Sequence, residues 1–370
     1  GLPRDELFAR LRNLEPTKPF RNRFQYQNLM FMTAGYLAGQ IGGSDWESLV
    51  AQRILKPLGM ERTNLSVEDS KTDPDFAQPY SWEDNAVVRV PFRNIDAIGP
   101  AGSINSSVNE MLRYIQFHID YGKHGELQLL SEQNAYQMQQ PQMSIVDPSA
   151  KPEPDKNEIY NTSYGLGLMT STYRGHKYVG HGGGIDGFIS AMSWLPHDRI
   201  GVVVLTNYSG EANPVPNIVS RNVFDRLLVL EPVDWNTRSR EAYEKSIVAR
   251  DEAREKAAAE RAEGTAPSHP LEDYVGTYRH AAYGDAVVEL STGADGKRVL
   301  TGTVAGFTLP LEHFHYDVFA VPEEVPREAD DFDRQRVQFF YDKTGRINRL
   351  AVPLEPSLGK DVEFERVEEP

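Results

Sequence analysis

Tyr26 and Asn28 stand two residues apart at the start of a segment whose apolar residues recur at helical spacing. A tyrosine phenolate beside a cation can act as a general base, and an asparagine amide can orient the carbonyl of an amide or ester. Much further along lies His181-Gly182-Gly183-Gly184-Ile185-Asp186-Gly187-Phe188. Three successive glycines beside a strand let something approach the backbone closely. That something is either a ligand whose oxyanion takes backbone N–H bonds or another stretch of chain. Taken singly, both motifs are commonplace: a lone Tyr usually belongs to the core.

Other residues could do different chemistry. Asp186, Asp96 and Glu110 are the carboxylates to examine for acid–base work of the glycosidase kind. His313-x-His315-x-Asp317 would set three ligand-type side chains on one strand face and could hold a divalent metal. The preferred reading makes them barrel interior or rim residues, so no metal and no cofactor is expected. His176 and His181, five apart across a turn, are not read as a metal site. The chain has no cysteine, which removes disulfides, thiolate catalysis and Cys-ligated metals. It holds neither a G-x-S-x-G elbow nor an H-E-x-x-H helix.

These residues need elements to hold them. Leu29, Met32, Tyr36, Leu37 and Ile41 predict a helix ended by Gly42-Gly43, with Ser44 or Asp45 capping the next. Trp46, Leu49, Val50, Ile54 and Leu55 predict a second helix, stopped at Pro57-Leu58-Gly59. Ser106 or Ser107 opens a third, with Met111, Leu112, Ile115 and Ile119 on one face. Ser131 caps a short one running to Gln140. Residues 141–163 read as a loop. Short strands are expected over 164–170 and 173–179, then a stronger hairpin over 188–195 and 200–206. Helix returns over 215–230, and a charged, alanine-rich helix over 240–263 serves as a linker. From Leu271 onward short alternating runs (287–290, 299–303, 337–341, 350–352, 362–366) predict a small antiparallel barrel or sandwich.

Composition bounds the partners. The chain has 370 residues, with 39 Lys and Arg against 54 Asp and Glu, a net charge of −15. That balance argues against nucleic acid and anionic membranes as partners. No apolar run of helix-spanning length is present, so no membrane span is expected. Gly1-Leu2-Pro3-Arg4-Asp5 reads as neither a signal peptide nor a native start, so a processed or trimmed chain is expected.

Together and in order, the motifs become specific. Phe24-Gln25-Tyr26-Gln27-Asn28 is followed by Gly35-Tyr36-Leu37, by Ile54-Leu55-Lys56-Pro57-Leu58-Gly59-Met60-Glu61-Arg62-Thr63, by Ala101-Gly102-Ser103-Ile104-Asn105-Ser106, and by His181-Gly182-Gly183-Gly184 leading to Val202–Asn207. The series resembles the serine β-lactamase-related family: class C β-lactamases, D-alanyl-D-alanine carboxypeptidases and family VIII carboxylesterases. Residues 274–317 are similar to the lipocalin-like domain often appended to such hydrolases. The resemblance implies an α/β (α+β) fold, a transpeptidase-like antiparallel sheet flanked by helices, over residues 1–238. A helical linker over 239–267 and a C-terminal β-barrel over 268–370 would follow.

It also implies a serine hydrolase acting on an ester or amide, with a small-molecule or peptide substrate. Tyr26 would be the base and Asn28 the substrate-orienting amide. His181 and Gly183 would form the third motif, and the Gly184 N–H would be one oxyanion donor. A periplasmic or extracellular location fits the resemblance. The family's S-x-x-K, which carries nucleophile and activating lysine, lies upstream of the segment matching Gly1–Arg4. The only S-x-x-K here, Ser357-Leu358-Gly359-Lys360, sits in the β-rich part beside Pro356 and opens no helix. Little serine-hydrolase activity is therefore expected of these residues alone. Apolar faces at Leu29, Met32 and Ile200–Leu205 are expected to need cover from an N-terminal segment, a second copy (a homo-oligomer) or a rearranged fold. A non-catalytic binding remnant and a carboxylate-based glycosidase are the alternatives held open.

Overall fold

A computed structural model describes residues 2–83, 85–146, 158–210, 213–292, 296, 298–304, 306–323 and 332–368. The chain forms two compact units, one of Lys18–Lys245 and one of Gly1–Thr17 with Ser246–Pro370.

A short helix, α1 (Arg4–Arg10), belongs to the second unit. The first unit begins with α2 (Asn28–Gly42), α3 (Trp46–Val50) and α4 (Val67–Ser70). Asp45, not Ser44, caps α3 by accepting from the Ser48 N–H at 2.6 Å. A hairpin of β1 (Tyr80–Glu83) and β2 (Ala86–Arg89) follows, then α5 (Val108–Ile119), the two-residue strands β3 (Lys123–His124) and β4 (Leu127–Gln128), and α6 (Glu132–Met138). Ser107 and Ser131 are the caps of α5 and α6.

The main sheet has six antiparallel strands: β5 (Met143–Ser144), β6 (Ile159–Tyr164), β7 (Met169–Tyr173), β8 (His176–Ile185), β9 (Phe188–Leu195) and β10 (Ile200–Thr206), in the spatial order 10-9-8-7-6-5. The hairpin expected over 188–195 and 200–206 has those bounds. The loop reading of 141–163 needs correction, since β5 and all but the last residue of β6 lie within it, while 147–157 fall outside the described residues. The strand expected over 164–170 is instead a turn at 165–168 joining β6 to β7.

Trp194 and Leu195 are neighbours on β9, so their side chains point to opposite faces of the sheet. Trp194 packs with Ile115 and Ile119 of α5, Leu168 and Val179. Leu195 packs with Tyr173, Val202, Trp235 and Phe224, the last from α7 (Val215–Leu227). The sheet is therefore the middle of three layers. A Cβ at Gly201 would come within 2.4 Å of Ile115, so glycine there lets α5 lie close against β10. Of the apolar faces expected to be bare, Met32 is fully buried and Val202 buried, Leu29, Ile200, Val203 and Val204 are partly buried, and Leu205 is exposed. The exposed large apolar residues of α2 are Met30, Leu37 and Ile41, the last two seven and eleven residues on from Met30, a stripe along one side of the helix.

His118 sits in this core, 1% exposed, stacked on Trp194 at 5.1 Å, and neither ring nitrogen has a hydrogen-bond partner among the described residues. Burial pushes its pKa down to about 4. The folded value lies below the unfolded one, near 6.5, so stability is full above pH 6.5 and falls as the pH drops towards 4. We expect a loss of about 2 kcal/mol between pH 7.5 and pH 5 from this group. His118→Phe should flatten that slope in urea unfolding followed by tryptophan fluorescence; an unchanged slope would assign the acid sensitivity elsewhere.

A long helix, α8 (Trp235–Ala259), crosses the boundary between the units. It starts earlier than the charged run suggests, because Asp234 caps the Thr237 N–H at 3.0 Å and Trp235 is buried, donating to Asp225 at 2.8 Å. After α9 (Leu271–Tyr274), eight strands close an antiparallel barrel: β11 (Gly276–His280), β12 (Gly284–Thr292), β13 (Arg298–Val304), β14 (Phe307–His315), β15 (Val318–Ala320), β16 (Arg336–Tyr341), β17 (Ile347–Val352) and β18 (Val362–Arg366). β11 pairs with both β12 and β18, which removes free edges. Tyr274, Phe319 and Phe339 meet edge-to-face inside it, with centroids 5.0–5.6 Å apart. Residues 2–17 are tied to this unit by Asn13 Nδ2 on the Ala281 carbonyl at 3.2 Å and by Glu15 with Lys360 at 2.7 Å. No described helix is long and apolar enough to cross a membrane.

Candidate active site

β8 is longer than its neighbour on one side. Its last partner on β7 is Gly180, opposite Met169, while Gly182, Gly183 and Gly184 continue to pair with Ala191, Ser190 and Ile189 of β9. On the β7 side, His181–Ile185 have no ladder partner among the described residues. The glycines thus form one strand edge open to an incoming backbone. A Cβ at Gly183 would lie 2.7 Å from Ser190 Oγ, and one at Gly184 3.2 Å from Ile189, so side chains are disfavoured here for packing reasons too. The hairpin beyond them turns at Gly187, whose φ of +79° and clearance of 2.1 Å from Pro79 both require glycine.

Val179 faces α5, so His181, two residues on, takes the same side of the sheet. There its ring centroid lies 6.0 Å from that of Tyr26 and 5.9 Å from that of Tyr164. Tyr26 also packs against Phe31 at 5.8 Å and Tyr164 at 6.1 Å, and Phe24 meets Tyr164 at 5.3 Å. Two motifs far apart in sequence therefore share one aromatic cluster. Gln27 caps α2 by accepting from the Leu29 N–H at 2.8 Å, which starts the helix at Asn28. Asn28 is exposed and one turn before Phe31, so it stands on the side of α2 that faces the cluster.

Burial raises the Tyr26 pKa, so the phenol keeps its proton at neutral pH unless a cation is brought close. Tyr164 is raised as well, by burial first and then by Tyr26. Tyr164 was read from sequence only as the start of a strand. Its hydroxyl lies 2.9 Å from His181 Nε2. Nothing local to Tyr164 signals this, because the contact depends on the order of β6, β7 and β8.

The three carboxylates have other work. Asp186 pairs with Arg93 at 2.6 Å, beside Phe92 stacked on Phe188 at 5.9 Å. Asp96 accepts from Ser66 at 2.8 Å. Glu110 accepts from Thr63 Oγ1 at 2.6 Å and from the Arg62 N–H at 3.0 Å. Burial alone would raise Glu110, but those hydrogen bonds hold it below the usual carboxylate range. It is thus a structural anion tying α5 to the 62–63 segment rather than a general acid.

The other histidines are also engaged. His176 pairs with Asp198 at 2.9 Å. The face expected for 313, 315 and 317 is broken by a bulge between His313 and His315. His313 Nε2 meets the Tyr316 carbonyl at 3.0 Å, His315 accepts from the Ala262 N–H at 3.2 Å, and Asp317 accepts from Ser268 and Tyr274. Among the described residues no three such side chains converge as a metal site. Ser357 lies in a 3-10 turn, not at the head of an α-helix.

Comparison with known proteins gives a family and a fold. Residues 1–221 match the family described as Beta-lactamase, and residues 260–366 match a domain of unknown function, DUF3471. A curated relative, "Unguisins hydrolase ungD" of Aspergillus violaceofuscus, is 27% identical over 95% of this chain and 64% of its own length. "D-aminopeptidase" of Gluconobacter oxydans is 25% identical over 51% of this chain and 32% of its own. The chain thus spans less than two thirds of the length of these relatives. Among solved structures, the octameric penicillin-binding protein homologue from Pyrococcus abyssi aligns with a TM-score of 0.55 at 20% identity, covering 98% of this chain and 70% of that one. That likeness is one of fold.

Proposed function

This chain belongs to the beta-lactamase family, and from that premise we propose that its first unit carries the proton-transfer and carbonyl-binding half of an amide-hydrolysing site. The observation that carries the reading is the open edge His181–Ile185 of β8 lying beside the Tyr26, Tyr164 and His181 rings. An extended substrate can lie along that edge as an added strand. Its scissile carbonyl then meets the backbone N–H groups around Gly183 and Gly184, one of which serves as oxyanion donor. Asn28 orients the substrate amide, and Tyr26 handles the proton of the attacking hydroxyl. On this reading the nucleophile and its lysine belong to an S-x-x-K that opens a helix, which the one such spacing in the sequence, Ser357–Lys360, does not. Esters fit the same chemistry. The names of the two curated relatives, a hydrolase and a D-aminopeptidase, favour amides with D-residues next to the scissile bond.

The test uses the protein joined to a segment that carries S-x-x-K at the head of a helix. D-alanine p-nitroanilide should be hydrolysed at least about tenfold faster than the L-isomer, because one misplaced methyl at a shaped site is worth about 1–3 kcal/mol. Hydrolysis of p-nitrophenyl acetate with no cleavage of either anilide would replace the amide reading with that of a carboxylesterase. Binding of the anilides without turnover would mark a non-catalytic remnant.

A further inference from the structure

His181 has two ring nitrogens with different partners. Nδ1 lies 2.5 Å from the Gly182 carbonyl oxygen, which can only accept, so Nδ1 carries a proton. Nε2 lies 2.9 Å from Tyr164 Oη. In a neutral ring Nε2 is then the acceptor, and the Tyr164 hydroxyl is the donor. Both of these positions are set by the sheet. Gly182 follows His181 on β8, and Tyr164 ends β6, where Met169 opposite it begins β7 and in turn pairs with Gly180.

We propose that Tyr164 is a positioning residue: the Gly182 carbonyl fixes His181 as the Nδ1–H tautomer, and the Tyr164 hydroxyl occupies the remaining Nε2 lone pair, so that His181 offers the cleft no free lone pair. The inference rests on the amide-hydrolase reading only for its consequence. His181 then acts as a fixed wall for the Tyr26 ring and the substrate, and the proton traffic belongs to Tyr26. A histidine beside a candidate base would otherwise be a rival base. Here its only lone pair is occupied by a phenol that burial keeps protonated. The ring faces of Tyr164 and His181 are near perpendicular, at 75°, so the hydroxyl holds the imidazole while the Tyr164 ring packs against Phe24.

The experiment needs no substrate. Long-range proton–nitrogen correlation spectra of the chain labelled with 15N-histidine distinguish the two neutral tautomers and the imidazolium, and His181→Gln assigns the signal. At pH 8 the expected pattern for His181 is Nδ1 protonated and Nε2 bare. In Tyr164→Phe, which keeps the ring and loses only the hydroxyl, Nε2 loses its donor while the Gly182 carbonyl stays. The tautomer should persist, and the Nε2 resonance should move downfield, as that of an acceptor nitrogen released from a hydrogen bond does. A wild-type His181 in the Nε2–H form overturns the proposal outright, whether or not the variant folds. A folded Tyr164→Phe whose Nε2 resonance is unmoved overturns Tyr164 as the partner of that lone pair. Failure of the amide-hydrolase reading would leave both spectra as expected, so the two outcomes are separable.

Discussion

Residues 1–370 alone should hydrolyse D-alanine p-nitroanilide about a millionfold more slowly than the same chain joined to a segment that carries S-x-x-K. The size of the effect follows from what the first unit holds. Removing the nucleophile of a serine hydrolase costs about 10⁶ in kcat, and the small remainder comes from binding and oxyanion stabilisation. The cleft described here has the open glycine edge, Asn28 and Tyr26, which are the parts of that remainder. Among the described residues, the side chains that meet His181 and Tyr26 are Tyr164, Phe31 and each other, none of them a serine. The check is a progress curve at matched concentration for the two chains, with a covalent serine reagent added to each. Activity of the short chain within about tenfold of the long one, resistant to that reagent, would show that the cleft works by other groups.

How far the sequence led can be argued element by element. Apolar periodicity was sufficient where one helix or hairpin buries one face. The β9–β10 hairpin and the caps at Ser107 and Ser131 were legible because their signals are local. β6 was not. It lies near the edge of the sheet, and Asn161 adopts a φ of +57° with the register to β7 shifting between Tyr160 and Ser163. Such a strand shows no clean alternation, and the prolines before it mimic a loop. α8 was placed too late because its start rests on one cap and one buried tryptophan, not on the charged run that follows.

The candidate site divides in the same way. Tyr26, Asn28, His181 and the glycines were named from motif order, and the sheet brings Tyr26 and His181 to a 6.0 Å ring contact. Tyr164 escaped notice because a hydrogen bond across two strands leaves no trace in spacing. The carboxylates looked available in sequence, since an Asp or Glu shows its charge there but not its partner. Glu110 is a clear case: its charge was visible, and its bond to Thr63, 47 residues away, was not.

Tyr26→Phe should lower kcat of the assembled hydrolase by about 10²–10⁴ with little change in KM, the range typical for loss of a general acid–base group. The substitution removes one oxygen and keeps the ring that packs against Phe31, Tyr164 and His181. The cleft wall therefore survives, and uniform substrate binding should survive with it. Burial raises the Tyr26 pKa, which by itself favours the protonated phenol and opposes a role as base. An opposite charge within about 4–6 Å lowers a pKa by 1–3 units, so the ammonium of an S-x-x-K lysine would bring Tyr26 back towards working pH. The base assignment thus carries a condition. Activity should rise with pH on a limb that Tyr26→Phe abolishes, and the same limb should move upward when the lysine is replaced by methionine. Measuring kcat against pH in the three proteins tests both statements. A Tyr26→Phe enzyme with wild-type kcat and an unchanged limb would assign proton transfer to the lysine alone and leave Tyr26 as part of the aromatic wall.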